Sequence, residues 1–318
     1  MKKWIKKVYK LFKEHRKRLN DTVKYVQQTN NVFRIVIVFD LFYSFVIYGC
    51  TINEYKIFDF YNVPLEQRDT YLTKSKKKSL FSTSIKKSKG KFTRKKIYNL
   101  FKEYLNREVK ELKDISFKDF ELLALDKKTL MFSDNNNKNK ICVMNLCDFR
   151  SPAFMLDKAK KEGYEYVEEY KRPNKVFNKI NKEGLCIVSI VTLKTYNSID
   201  IVSSSLKLQS KDNLIETVLE KGIVKYPFLD KDDNVYRKLN DIELKNMEVP
   251  KYDELIELSK KLASEINDVK EIEWLFTLTD TKIELLGAGV WNNYLFAQKQ
   301  IYLNGKDGIY AYYKTKRF

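Results

Sequence analysis

The sequence predicts an α+β fold, and three observations lead to it. The first third of the chain is helical in pattern. The remaining two thirds mix short strands with helices. Near the end, Glu271 to Gly289 reads as two strands joined by a hairpin: Trp274, Phe276 and Leu278 alternate, Asp280 to Lys282 turn the chain, and Ile283 to Leu286 runs apolar into Gly287-Ala288-Gly289.

Taken in order, residues 2–28 form one helix. Trp4, Ile5, Val8, Leu11, Phe12 and Leu19 fall near one face, and Lys2, Lys3, Lys6, Lys7, Lys10, Lys13, Arg16, Lys17 and Arg18 crowd the rest. Such a helix suits an anionic membrane surface with Trp4 at the interface; the alternative is a helix packed on the protein body with a solvated basic face. Phe39, Phe42, Phe45 and Val46 predict a second helix buried on several sides, ended by Gly49 and Cys50. Thr51 to Glu54 is a capping-box start for the next helix, and Pro64 opens a short one over Leu65 to Tyr71. Residues 73–96 are rich in Lys and Ser and read as a solvated linker. Residues 97–111 return to an amphipathic helix through Ile97, Leu100, Phe101, Tyr104 and Leu105.

Strands follow at Thr129 to Phe132 and Ile141 to Leu146, with the turn Asp134 to Asn139 between them. Residues 152–163 read as helix and Glu165 to Glu169 as strand. Gly184 to Leu193, Ile199 to Leu208 and Gly222 to Tyr226 are β-rich. Pro250 precedes a well-patterned helix over 251–266, and a last helix covers 291–303. Three segments result: 1–30, a basic amphipathic helix; 31–111, a helical region; and 112–318, a mixed domain.

Composition narrows function. The chain has 318 residues, enough for a sizeable core, and 43% hydrophobic with 14% aromatic residues excludes a disordered protein. Its 61 Lys and Arg against 42 Asp and Glu give a net charge of +19, which favours anionic partners. An AT-rich genome, which enriches Lys, Asn, Ile and Tyr, would produce the same bias. The basic-aromatic front carries no recognised nucleic-acid motif, so nucleic acid is not expected as a partner. Cys50, Cys142, Cys147 and Cys186 have no C-x-x-C spacing, and His15 is the single histidine, so no zinc motif assembles and free thiols in a reducing cytoplasm are expected. A nucleophilic triad would have to use His15, which lies among Lys and Arg. No secretory signal is expected. In the most hydrophobic run, Val32 to Cys50, Arg34 and Asp40 argue against a transmembrane span.

No P-loop, G-x-G-x-x-G or H-E-x-x-H is present. Asp230 to Asn234 superficially matches a calcium loop but lacks its central Gly and distal Glu, and reads as a turn. What remains is the closing hairpin. A buried hairpin followed by glycines is where many nucleotide-using folds place metal-ligating carboxylates.

One ordered series of landmarks has a counterpart. Asp40 to Phe42, Tyr48 to Tyr55, Phe58 to Tyr61, Arg68 to Thr73, Phe101 to Glu108, Val167 to Glu169, Ile190 to Thr192, Asp212-Asn213 followed by Gly222-Ile223, then Pro250, Trp274, Gly287 and Gln298 together resemble the sugar-transfer-associated ATP-grasp family, related to the ATP-grasp proteins of teichuronopeptide synthesis. The resemblance runs roughly from residue 35 to 300 and rests on order, since no single motif is specific. It implies an ATP-grasp-like fold of two mixed subdomains behind a helical N-terminal region. It also implies ATP with Mg²⁺, carboxylate–amine ligation in bacterial capsular or cell-surface polysaccharide biosynthesis, and a nucleotide-sugar or lipid-linked glycan precursor as partner. The setting it implies is the cytoplasm, with the inner membrane face available through residues 2–20. On the nucleotide side it points to Lys95, Lys96, Glu168, Glu169, Asp212 and Asn213, although the lysines read equally as surface residues and Glu168 as a strand-end carboxylate.

The chain departs from the family where oxygen ligands are needed. The Trp-Asp pair reads Trp274-Leu275, the Glu-Gly-Asn motif reads Leu286-Gly287-Ala288, the strand arginine is Ser189 and the strand asparagine is Cys186. Leu and Ala cannot coordinate Mg²⁺. Glu284 lies two positions from the motif, on the same strand face, so a shifted register would make it the metal ligand. The alternatives are a ligase with weak or lost activity and a non-catalytic protein that binds a glycan precursor or partner enzyme at the membrane surface.

Overall fold

The computed structural model describes residues 2–88, 92–105, 108–134, 141–181, 184–209, 214–230, 232, 234–291, 293–302 and 307–316, without the side chains of residues 2–12, 94, 105, 301 and 302. Asp212, Asn213, Arg107 and the side chain of Trp4 therefore lie outside the described residues. The α+β reading holds. The chain forms two compact units, Met1–Ser82 with Asn292–Arg317, and Thr83–Trp291.

The first unit opens with α1 (Lys2–Asn30), α2 (Arg34–Tyr48), α3 (Ile52–Ile57), α4 (Leu65–Arg68) and the part of α5 (Lys74–Ser88) up to Ser82. Asn31, at φ 48°, turns the chain, and α1 and α2 meet at 117°. Gly49 ends α2 at φ 64°, its N–H bonded back to the Phe45 carbonyl. A Cβ there would lie 2.8 Å from the Ser75 Cβ, so both backbone and space require glycine. The expected capping box is present: the Glu54 N–H donates to Thr51 Oγ1 and the Thr51 N–H to Glu54 Oε2. The unit's core is aromatic, with Tyr55, Phe58, Phe60 and Tyr71 packed at ring separations of 5.2–6.2 Å.

Two expectations fail here. Residues 74–88 are helical, with a kink at Phe81, and not a linker. Phe81 is fully buried and Lys77 lies 4.7 Å from the Tyr294 ring, so the lysine stems cover aromatic surface. The second is that α2 is not buried on several sides. Ile37, Leu41, Ser44 and Tyr48 face inward, while Phe39, Phe42, Phe45 and Val46 are exposed.

The second unit contains α6 (Arg94–Leu100), α7 (Lys102–Leu105), β1 (Val109–Glu111), α8 (Phe117–Lys127), β2 (Thr129–Ser133), β3 (Ile141–Asn145), α9 (Pro152–Lys161), β4 (Tyr166–Glu169) and α10 (Lys175–Ile180). Then come β5 (Leu185–Lys194), β6 (Ile199–Gln209), β7 (Leu214–Glu220), β8 (Ile223–Val224), β9 (Phe228–Leu229), β10 (Val235–Tyr236), β11 (Lys238–Leu239), β12 (Ile242–Glu243), α11 (Tyr252–Ser264), β13 (Glu271–Leu278) and β14 (Ile283–Gly289). The chain returns to the first unit with α12 (Tyr294–Tyr302) and α13 (Ile309–Lys314). There Gln298, part of the resemblance, is a structural clamp: its amide N–H donates to the Leu72 carbonyl at 3.0 Å and its oxygen accepts from the Leu72 N–H. The single helix expected over 97–111 breaks at Phe101, and Val109–Glu111 pairs with β4 as an edge strand.

Among the described residues the second unit has two large antiparallel sheets and the two-stranded pair β11–β12. The smaller has order β1-β4-β2-β3; the larger runs β10-β9-β7-β6-β5-β13-β14, with β8 on β7. Strand alternation divides the side chains. Leu130, Phe132 and Val167 pack outward under α8 and α9. Cys186, Val188, Ile190, Leu206, Trp274, Phe276 and Leu285 pack on the outer face of the larger sheet with Leu255 and Leu262 of α11. Met131 and Ile141 of the small sheet meet Leu185, Ile187, Leu275 and Leu286 of the large one. The functional question sits at this inner face.

Candidate functional site

Period-two alternation aims Ser205 and Lys207 of β6 away from the core that takes Leu206 and Leu208. The register sets Lys207 opposite Glu216 on β7, and Ser189 on β5 between Ser205 and Leu275. The result is a charged row across four adjacent strands. Lys207 Nζ lies 3.0 Å from Glu273 Oε1 and 3.7 Å from Glu216 Oε1. Ser189 Oγ donates to Glu273 Oε1 at 2.8 Å and Ser205 Oγ to Glu216 Oε1 at 2.6 Å. Lys207 is 4% exposed. Burial alone would lower its pKa, but the carboxylates of Glu216 and Glu273 outweigh that and hold the ammonium above its ordinary range. Beside the row, a Cβ at Gly289, which pairs with Glu273, would meet nothing within 4 Å. The glycines expected to bend the chain instead belong to β14, where a bulge interrupts the register at Leu275/Phe276.

This row was not singled out in the sequence. The signal was present: Lys207 and Glu216 each interrupt an apolar strand, where alternation places a charge on a sheet face.

The residues that the sequence pointed to are dispersed. Lys95 is an exposed residue of α6, 2.8 Å from Glu111. That contact and Lys113 hold the Glu111 carboxyl below its usual range. Lys96 is exposed. Glu168 is fully buried and in register with Met131, on the inner face of the small sheet. Glu169 faces the other way, with Lys171 at 2.6 Å and Lys127 at 3.9 Å. Glu284 is buried opposite Thr277, on the face that carries Leu275 and Leu286. It shares a face with Glu273 but stands four rungs along the hairpin, ~13 Å at 3.3 Å per residue. Trp274 faces the outer core, its indole N–H donating to Thr192 Oγ1 at 2.9 Å. It is a packing residue and does not border the row.

The thiols are free. Cys186 is buried, and burial pushes it up to about 12. His15 is exposed on α1. Asp230 makes the expected turn, its Oδ1 accepting from the N–H groups of Asp232 and Asn234.

ATP with Mg²⁺, as the resemblance implies, does not fit this donor set. Leu275 and Leu286 offer no oxygens and pack with Met131, Ile141, Leu185 and Ile187. Glu273 is engaged by Ser189 and Lys207, and the Lys207 charge is opposed by two carboxylates, which leaves no net positive charge in the row for phosphate oxygens. Among the described residues no group of three or more His, Cys, Asp and Glu side chains is placed to hold a metal ion. What the inner faces do offer is hydroxyl chemistry. Ser133 Oγ, on the Met131 face, and Thr277 Oγ1, on the Leu275 face, are buried without a hydrogen-bond partner among the described residues, an arrangement that calls for a polar ligand or water.

No family model matches the chain, and no curated protein matches it. Among solved structures it is similar to carboxyaminoimidazole ribonucleotide synthase from Aspergillus clavatus complexed with ATP, at 12% identity and TM-score 0.42, over 67% of this chain and 47% of that one. It is similar to D-alanyl-alanine synthetase A from Vibrio cholerae at 11% identity and TM-score 0.43, over 76% and 65%. It is also similar to the ATP-grasp ligase PsnB complexed with minimal precursor at 6% identity and TM-score 0.39, over 65% and 55%. The chain thus spans about half to two thirds of the length of these proteins. At these scores the likeness assigns this chain neither a family nor an activity.

Proposed function

We propose that the second unit uses an ATP-grasp-like frame to bind and not to ligate, and that its ligand is a glycan precursor of cell-surface polysaccharide assembly. One observation carries the first half: Leu275 and Leu286, at the positions where the resemblance expects oxygen ligands, are packed into an apolar cluster between the sheets. The ordered motif series supports the frame. The Ser133 and Thr277 hydroxyls, buried without a hydrogen-bond partner among the described residues, support a polyhydroxylated ligand over a phosphate–metal complex.

The test is ligand-dependent melting of the full chain. A ligand at 100 times its Kd stabilises a protein by ~2.7 kcal/mol. Millimolar Mg·ATP is expected to leave the melting temperature unchanged. A neutral oligosaccharide is expected to raise it, and Thr277→Val to remove that rise. A rise with Mg·ATP that Glu284→Gln abolishes would overturn this reading. It would favour a weakly active carboxylate–amine ligase, for which the specific observation is that Glu284 shares the face of Leu286.

A further inference from the structure

The α2 helix presents an unusual surface. Ile37, Leu41, Ser44 and Tyr48 hold it to the first unit, and the rest of its circumference is open. Phe33 is 82% exposed, Phe39 67%, Phe42 65% and Phe45 58%, and Ile35, Val36, Val46 and Ile47 are exposed beside them. With aromatic side chains offering ~150–250 Å² each, the four phenylalanines alone leave on the order of 500 Å² of apolar surface in water. Soluble monomers rarely show a contiguous patch of that size without a use for it.

The charges that argued against a transmembrane span are engaged by neighbouring side chains. Asp40 is bonded to Arg68 at 2.7 Å and accepts the Tyr55 hydroxyl. Arg34 donates to Asn20 on α1 at 2.7 Å. Along α1, residues 13–30 expose Lys13, Arg16, Lys17, Arg18 and Lys24 against the acids Glu14 and Asp21. A groove of about 950 Å³ brings the two kinds of surface together, with Phe42 and Phe45 lining it alongside Arg18 and Lys74. Its acid, Glu54, is engaged by the backbone N–H groups of Thr51 and Lys74.

We propose that α2 and the exposed basic face of α1 form a membrane-docking surface for an anionic phospholipid bilayer. The α2 phenylalanines enter the acyl boundary, and Arg16, Arg18 and Lys74 meet headgroup phosphates. Length decides the mode. Fifteen residues span ~22 Å at 1.5 Å per residue, short of the ~30 Å hydrocarbon core, so α2 lies in the interface. No single described helix is long and apolar enough to cross a membrane. The charge pairing selects lipid over a second copy of the chain, because a second copy would bring the same basic face against this one. The proposal stands on the first unit alone and does not rest on the reading of the second.

The experiment is co-sedimentation of the full chain with phosphatidylcholine vesicles, with and without about one third phosphatidylglycerol. The chain is expected to pellet with the anionic vesicles. Phe39→Asp/Phe42→Asp should lower the partition coefficient at least tenfold with an unchanged circular dichroism spectrum. Arg16→Glu/Arg18→Glu should lower it on anionic vesicles only, and decides the matter if the first variant misfolds. A wild-type chain that stays in the supernatant would overturn the proposal, as would variants that pellet like wild type. A dimer by light scattering that both variants dissociate, without vesicle binding, would assign the surface to a second copy and overturn it equally.

Discussion

In the second unit Lys207 lies 4% exposed between two carboxylates; in the first, Phe39 lies 67% exposed on a helix with eight other exposed large hydrophobic side chains. Both placements invert the ordinary partition of side chains, in opposite directions. The buried charges are compensated within the fold: two serine hydroxyls and an ammonium satisfy the Oε1 atoms of Glu216 and Glu273. The phenylalanines are left exposed among the described residues. A buried ion network is an internal matter of stability and specificity, whereas an exposed apolar helix points outward to a partner.

The comparison can be broken at its inner side first. Lys207→Met leaves the buried Glu216 and the partly buried Glu273 carboxylates without their ammonium and should cost ~3 kcal/mol in urea unfolding. Adding Glu216→Gln and Glu273→Gln should restore most of it. A cost below ~1 kcal/mol for the single variant would mean that the row is hydrated and not a closed network. Gly49→Ala, which forces a Cβ against Ser75 at positive φ, should cost ~1–2 kcal/mol and loosen the end of α2. Thr51→Ala removes the cap of α3 and should cost ~1 kcal/mol.

The outer side should behave differently. Phe39→Ser should change stability by no more than ~0.5 kcal/mol, while vesicle pelleting falls. A large stability loss would show that α2 packs on the protein and would collapse the contrast. The smallest effect concerns the Asp230 turn. Hydrogen bonds from the Asn234 side chain and from the Asn234 and Asp232 N–H groups hold this carboxyl down to about 2. A depressed folded pKa stabilises above the unfolded value and is lost as pH falls through the folded one. The turn should therefore be intact above pH ~4 and open as pH drops to about 2, with the Asp230 carboxyl carbon titrating there by NMR.

Much of the fold was legible because it is written locally. The alternation of Trp274, Phe276 and Leu278, the Thr51–Glu54 capping box and the apolar stripe of α11 each lie within a dozen residues, and all stand in the structure. The site was harder to read. Glu273 and Lys207 are 66 residues apart, and which charges share a sheet face depends on strand order and register. Residues 74–88 read as linker because their lysines hide the aromatic surface that they cover.

The sequence by itself determined the periodicities, the caps and the absence of oxygen at Leu275, Leu286 and Ala288, since these are properties of side chains and their spacing. Only the tertiary structure decided which face each side chain meets. Leu275 and Leu286 fill the space between two sheets because those sheets pack there. Glu284 shares their face yet stands ~13 Å from Glu273 because pairing sets it opposite Thr277. For α2, apolar on every side, no pattern names the inward stripe. Arg68 does so, by drawing Asp40 toward the body and leaving the phenylalanines outside.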